Sequence, residues 1–259
     1  ALIGFAAVLL VVLFAKDTKV FINERTDYLS RPYEERLAEK QLQKSQKQAQ
    51  RNQAGVFNGV KYIFANKDTK ILIISHIIFD AAMPAIALYF ESSMHRAGMS
   101  TADITKALFM VPVIYGSITF LSGFIADKLG RKVTVTGFSV TCVLGYILFV
   151  AGILCGWNPY LVGAFAGLYQ GSYWIGRDYM NVMMTEKVPT DIRASVVGAE
   201  GLLVIIGLAV GYISTIIGMT IMPIWWACLA VSIPTVTVAA VMFTLKVKET
   251  KGANLDEIE

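Results

Sequence analysis

The sequence predicts an all-α integral membrane fold: six full transmembrane helices plus the end of a preceding one. Three observations predict it. Of 259 residues, 55% are hydrophobic and only 16% are charged, against roughly a quarter charged in soluble domains. The mean hydropathy is +0.57. Six apolar runs, at 70–90, 107–126, 133–155, 160–183, 194–217 and 221–245, each reach the ~20 residues a helix needs to cross a bilayer core. The same arithmetic argues against soluble enzymes. Cys142, Cys155 and Cys228 stand singly in apolar runs, so neither a disulfide framework nor a metal or redox motif is expected.

Taken in order, the chain opens on an apolar run, 1–15, too short to span, which reads as the end of a preceding transmembrane helix. Residues 16–69 form an inter-span loop with 18 charges in 54 residues, a solvated connector in which Pro32 is expected in a helix's first turn behind a Ser30 cap. Tyr33, Leu37 and Leu42 give that connector a thin apolar stripe. Phe57, Val60, Ile63 and Phe64 recur at helical spacing just before the next span and suggest a short interfacial helix. The bundle of six spans follows over 70–245, and its prolines (Pro84, Pro112, Pro234) are of the kind membrane helices tolerate. A tail, 246–259, closes the chain.

Orientation is read from lysine and arginine. If the spans alternate, 16–70, 127–132, 184–193 and 246–259 lie on one side with 20 of the chain's 23 Lys and Arg. Arg96 and Lys106 lie on the other side, and Arg177 lies within a span. The crowded side is expected to be cytoplasmic, the C-terminus included. Trp157, Trp225 and Trp226 then fall at the opposite ends of their spans, where an aromatic belt belongs.

The turn between the second and third spans reads Gly123-Phe-Ile-Ala-Asp127-Lys128-Leu-Gly130-Arg131-Lys132. Its glycines allow close approach and a tight reversal, and its carboxylate stands among three cations. This turn resembles the GxxxDRxGRR signature of the major facilitator superfamily, with Lys128 where Arg is commoner. Glu186-Lys-Val-Pro189-Thr-Asp-Ile-Arg193 is similar to that family's ExxPxxxR loop element. Glu249-Thr250-Lys251-Gly252, followed by Leu255-Asp256-Glu257-Ile258, resembles the PETKG tail of its sugar porters, with Lys248 in place of the proline. The resemblance implies half of a twelve-helix fold, the six spans matching the seventh to twelfth helices. It implies a partner, the N-terminal six-helix half of the same transporter. It also implies a cytoplasmic gate of loop charges: Gly123, Asp127, Lys128, Gly130, Arg131, Lys132, Glu186, Arg193 and Glu249.

Charges inside spans are costly, on the order of 3 kcal/mol each by insertion scales, so they face a cavity or a partner. His76 and Asp80 share one helix face. Gln170, Trp174, Arg177 and Asn181 form a polar stripe flanked by Tyr169 and Tyr173, while Gly163, Gly167 and Gly171 repeat every four residues as a close-packing face. The candidate substrate or coupling residues are His76, Asp80, Gln170, Tyr173, Trp174, Arg177, Asp178 and Glu200. Asp80 is expected to lack a cation at its own depth, whereas Arg177, Asp178 and Glu200 are expected to pair with one another. The glutamine-rich motif of sugar porters is missing from Ser75-His-Ile-Ile-Phe-Asp80-Ala-Ala-Met-Pro84, so the sugar likeness stops at the loops.

The function expected from all this is secondary active transport of a small polar or charged organic solute across the cell membrane, by alternating access and with proton coupling. An exporter of drugs or metabolites with the same fold, and a nutrient sensor that binds without transporting, are the alternatives. No catalytic constellation, cofactor, metal or nucleic-acid partner is expected; the lipid bilayer and the small solute are.

Overall fold

In the computed structural model the described residues are 26–37 and 55–250, and they fall into two units, 1–53 and 54–259. In the first unit, residues 26–30 and 33–37 are helical. Ser30 does not cap the second run as expected. Its hydroxyl donates back to the Asp27 carbonyl at 2.7 Å, closing the first run, and Pro32 sits just ahead of the second. The expectations for 1–15, for Leu42 and for Leu255 to Ile258 lie outside the described residues.

The second unit is all helix apart from its turns, with no strand among the described residues. Helix α1 (Val56–Ala65) is followed by α2 (Lys67–Asp80), a π-helical turn (Pro84–Leu88) and the short α3 (Phe90–Arg96). Three helices of 28 or 29 residues and two of 23 or 24 complete the order: α4 (Thr101–Leu129), α5 (Arg131–Leu154), α6 (Pro159–Glu186), α7 (Arg193–Ile221) and α8 (Ile224–Lys246). Local chemistry sets several boundaries. Ser100 caps α4 by accepting the Asp103 amide at 3.2 Å, and Asn158 caps α6 through the Tyr160 amide at 2.9 Å, with Pro159 at the first helical position. Pro84 has no N–H to give the Asp80 carbonyl four residues back, and its ring crowds that oxygen. Regular α-helix therefore stops at Asp80.

Among the described residues, five helical stretches are long and apolar enough to cross a membrane: Lys67–Leu88 (α2 with the π-helical turn), Thr101–Leu129, Arg131–Leu154, Arg193–Ile221 and Ile224–Lys246. The sequence led us to expect six. The remaining helix, α6, has the length, 28 residues, but Gln170, Arg177, Asp178 and Asn181 lower its hydropathy. Its position explains that composition: α6 packs along both α4 and α5 and buries Tyr169, Tyr173, Met180, Met183 and Met184 completely. Its apolar surface is spent on neighbouring helices. Glycines bring it in. A Cβ on Gly163 would overlap the Ala107 carbonyl of α4, and one on Gly167 would press on Val111 of the same helix. On the other side of the unit α7 meets α2 in the same manner, Gly207 against the Ile77 carbonyl and Gly211 against that of Ala81. Helix α1 docks on α7 through Gly59 and Ile63, leaving Phe57 outward, 90% exposed.

Candidate functional site

Two clusters gather the residues singled out in the sequence. The first lies where α2, α6 and α7 meet. Asp80, the last residue of α2 before the helix continues into the π-helical turn, is 3% exposed. Arg177 answers with a two-pronged contact: Nε donates to Oδ1 at 2.9 Å, and Nη2 donates to Oδ2 at 3.2 Å. Tyr173 adds its hydroxyl to Oδ1 at 2.8 Å. The expectation that Asp80 has no cation of its own is thus overturned. Arg177 lies four residues past Tyr173, one turn along the same face of α6, so both reach the same carboxylate.

Around this pair the aromatic residues form a wall. Phe79 and Tyr173 stack at 5.0 Å, and the Arg177 guanidinium lies 5.4 Å from the Trp174 ring, within cation–π range. Asp80 takes two of the five guanidinium donors' directions, and the Arg177 side chain keeps 25% of its surface exposed.

His76 links the carboxylate pair to α7. Its Nδ1 stands 2.9 Å from Glu200 Oε1, and its Nε2 is 3.9 Å from Asp80 Oδ1 with no hydrogen-bond partner. Both His76 and Glu200 are buried, at 0% and 2% exposure. The polar contacts therefore run across helices: Arg177 to Asp80, His76 to Glu200. The expected grouping of Arg177, Asp178 and Glu200 with one another does not form. Asp178 points outward, exposed, because the next residue on a helix is turned by about 100°. Gln170 is buried about two turns before Arg177 on α6. Phe79 was missed in the sequence; it looks like any core aromatic there.

The second cluster is at the end of the unit that carries the 127–132 turn. Gly130 adopts φ +100, a conformation open to glycine, and this reversal lets α5 start at once. The first amides of α5 lack helical partners; the Glu249 carboxylate accepts those of Arg131 and Lys132, both at 3.0 Å. The Arg131 side chain reaches Glu186 at 3.3 Å and approaches Asp127 at 4.0 Å. Thr250 donates to the other Glu186 oxygen. Asp127 stays mostly in the open, its side chain 83% exposed, and Lys128 is exposed beside it. Arg193 is not drawn in: its Nη2 donates to the Val188 carbonyl at 3.1 Å, tying down the loop before α7. Gly123 borders open space and makes no close approach among the described residues. Nearby, burial pulls the Lys187 ammonium below the usual lysine pKa, opposed by Asp68. Thr250 was the residue missed here, since a tail threonine carries no signal by itself.

Comparison with families of known proteins adds the deciding observation: the model of the Major Facilitator Superfamily matches residues 1–212. The chain belongs to the major facilitator superfamily. No curated protein matches it. Major facilitator proteins are membrane transporters of small molecules rather than enzymes, so this chain is part of a multi-pass membrane transporter.

Proposed function

We propose that this chain is the C-terminal half of a major facilitator transporter, with 70–245 as its six-helix bundle, α6 included among the spans, and 16–69 as the loop between halves. It works with an N-terminal six-helix half to move a small polar or charged organic solute across the cell membrane by alternating access, coupled to protons. The crowding of Lys and Arg on one side supports a cytoplasmic C-terminus.

One observation carries the reading: Asp80, Arg177 and Tyr173, with His76 and Glu200 behind them, concentrate four ionisable groups and a hydroxyl between three helices of a membrane bundle. Such residues are costly there and are associated with solute and proton pathways. The partly exposed Arg177 fork suits an anionic group on the solute, which would compete with Asp80 for the same donors. His76 stands between two carboxylates and can carry a proton from one to the other. At the cytoplasmic end, Arg131, Glu186, Glu249 and Asp127 form the gate. Their contacts are individually worth about 1 kcal/mol or less where exposed, which suits a closure that opens in every cycle.

The test is uptake of a labelled metabolite panel by the full-length transporter in proteoliposomes, with and without a proton gradient. Asp80→Asn should abolish gradient-driven accumulation while leaving solute exchange without a gradient. Failure of both would make Asp80 part of the solute site instead. Undiminished accumulation would refute its involvement.

A further inference from the structure

A further feature lies between α5 and α8, apart from the two clusters described above. A groove of about 350 Å³ runs between α5 and α8. Its floor and walls include Val140, Val143, Leu144, Val236 and Val241, and Val140, Leu144 and Val241 are each more than half exposed. At one end the hydroxyls of Thr136 and Thr244 meet at 2.8 Å and bridge the two helices. From that level to Leu144 the groove follows α5 for roughly 12 Å, at about 1.5 Å per residue. Because the helices already touch through the threonine pair, the crevice admits an extended chain rather than a third helix.

The chemistry of the ends differs. The inner end, at Val143, Leu144 and Val236, is apolar but for Thr237. At the threonine end, Lys132 lies one turn before Thr136 on α5, and Lys246 is two residues past Thr244 in the last turn of α8. Both stand where a helix of this length leaves the hydrocarbon layer. The nearby acid Glu249 is occupied by the Arg131 and Lys132 amides.

We propose that this groove binds one anionic diacyl phospholipid, an acyl chain lying between α5 and α8 and the phosphate held between Lys132 and Lys246. The apolar trough would take any phospholipid; the two lysines select the anionic one. A basic side chain near an anionic headgroup favours it about fivefold, so the pair gives roughly a 30-fold preference.

The test is native mass spectrometry of the purified full-length protein, supplied with phosphatidylglycerol or phosphatidylcholine. One phosphatidylglycerol should be retained per protein, with about 30-fold preference. Lys132→Gln with Lys246→Gln should bring the preference within a few-fold of unity. Val140→Trp, at an exposed position that does not threaten folding, should fill the trough and reduce retention even with both lysines present. Equal retention of the two lipids by the unaltered protein would overturn the proposal. So would a preference that survives both changes, which would place the lipid elsewhere. A Val140→Trp protein that changes only its oligomeric state would assign the groove to a second copy of the chain and overturn it too.

Discussion

At the scale of single residues, stability and function meet in the Arg177–Asp80 pair. Removing one partner of a buried pair leaves the other charge uncompensated, at a cost of about 3–5 kcal/mol. Asp80→Asn should sit near the lower end and Arg177→Gln near the upper, since the Arg177 side chain left by the first is 25% exposed and the Asp80 side chain left by the second only 5%. Thermal melts in detergent should show the double change, Arg177→Gln with Asp80→Asn, losing clearly less than the sum of the two single losses; strict additivity would mean the pair is not coupled. The His76–Glu200 contact makes a parallel case. His76→Phe strands a carboxylate that is 2% exposed, and adding Glu200→Gln should recover part of the lost melting temperature. No recovery would show that packing, not the bond, is what His76 supplies.

At the scale of elements, the glycine contacts decide which helices touch. Gly163→Ala would drive a Cβ into the Ala107 carbonyl and should cost about 1–3 kcal/mol as overpacking. Gly116→Ala, on α4 with open space around it, should be neutral or stabilising by up to about 1 kcal/mol. Equal effects at the two sites in a detergent melt would contradict the packing described. The helices themselves were legible in the sequence: long apolar runs and the spacing of Gly163, Gly167 and Gly171 are local signals, whereas the caps at Ser100 and Asn158 were not picked out. The pairing of charges was not. Arg177 and Asp80 are 97 residues apart, and no local pattern says that α6 lies against α2 rather than that its own Asp178 satisfies it. Nor did apolarity identify α6 as a helix of the bundle interior, because its neighbours, not lipid, cover it. The loop and tail cluster was half legible. The turn and tail residues could be named from their motifs, but that Glu249 would serve backbone amides, and that Arg193 would serve a carbonyl instead of an acid, depends on distances that spacing cannot supply.

At the scale of the whole molecule, the turn at 127–132, the end of α6 and the chain's last described residues close on one another. If this closure is the cytoplasmic gate, Asp127→Asn should slow turnover more than it weakens solute binding, because it shifts a conformational balance without touching solute. Unchanged turnover at normal expression would rule that out. Glu249→Ala should cost about 1 kcal/mol, as loss of a helix cap does, and hydrogen exchange should rise selectively at the Arg131 and Lys132 amides. The partner of those amides lies 118 and 117 residues downstream, and this distance has a bearing on biosynthesis. As the chain emerges from the ribosome, α5 enters the membrane with its leading amides bare, and they stay so until α6, α7 and α8 have all been made and inserted. Only then does the carboxylate that covers them exist. The junction can therefore close only once residue 249 has been made, and a chain cut short before it would leave the first amides of α5 to water.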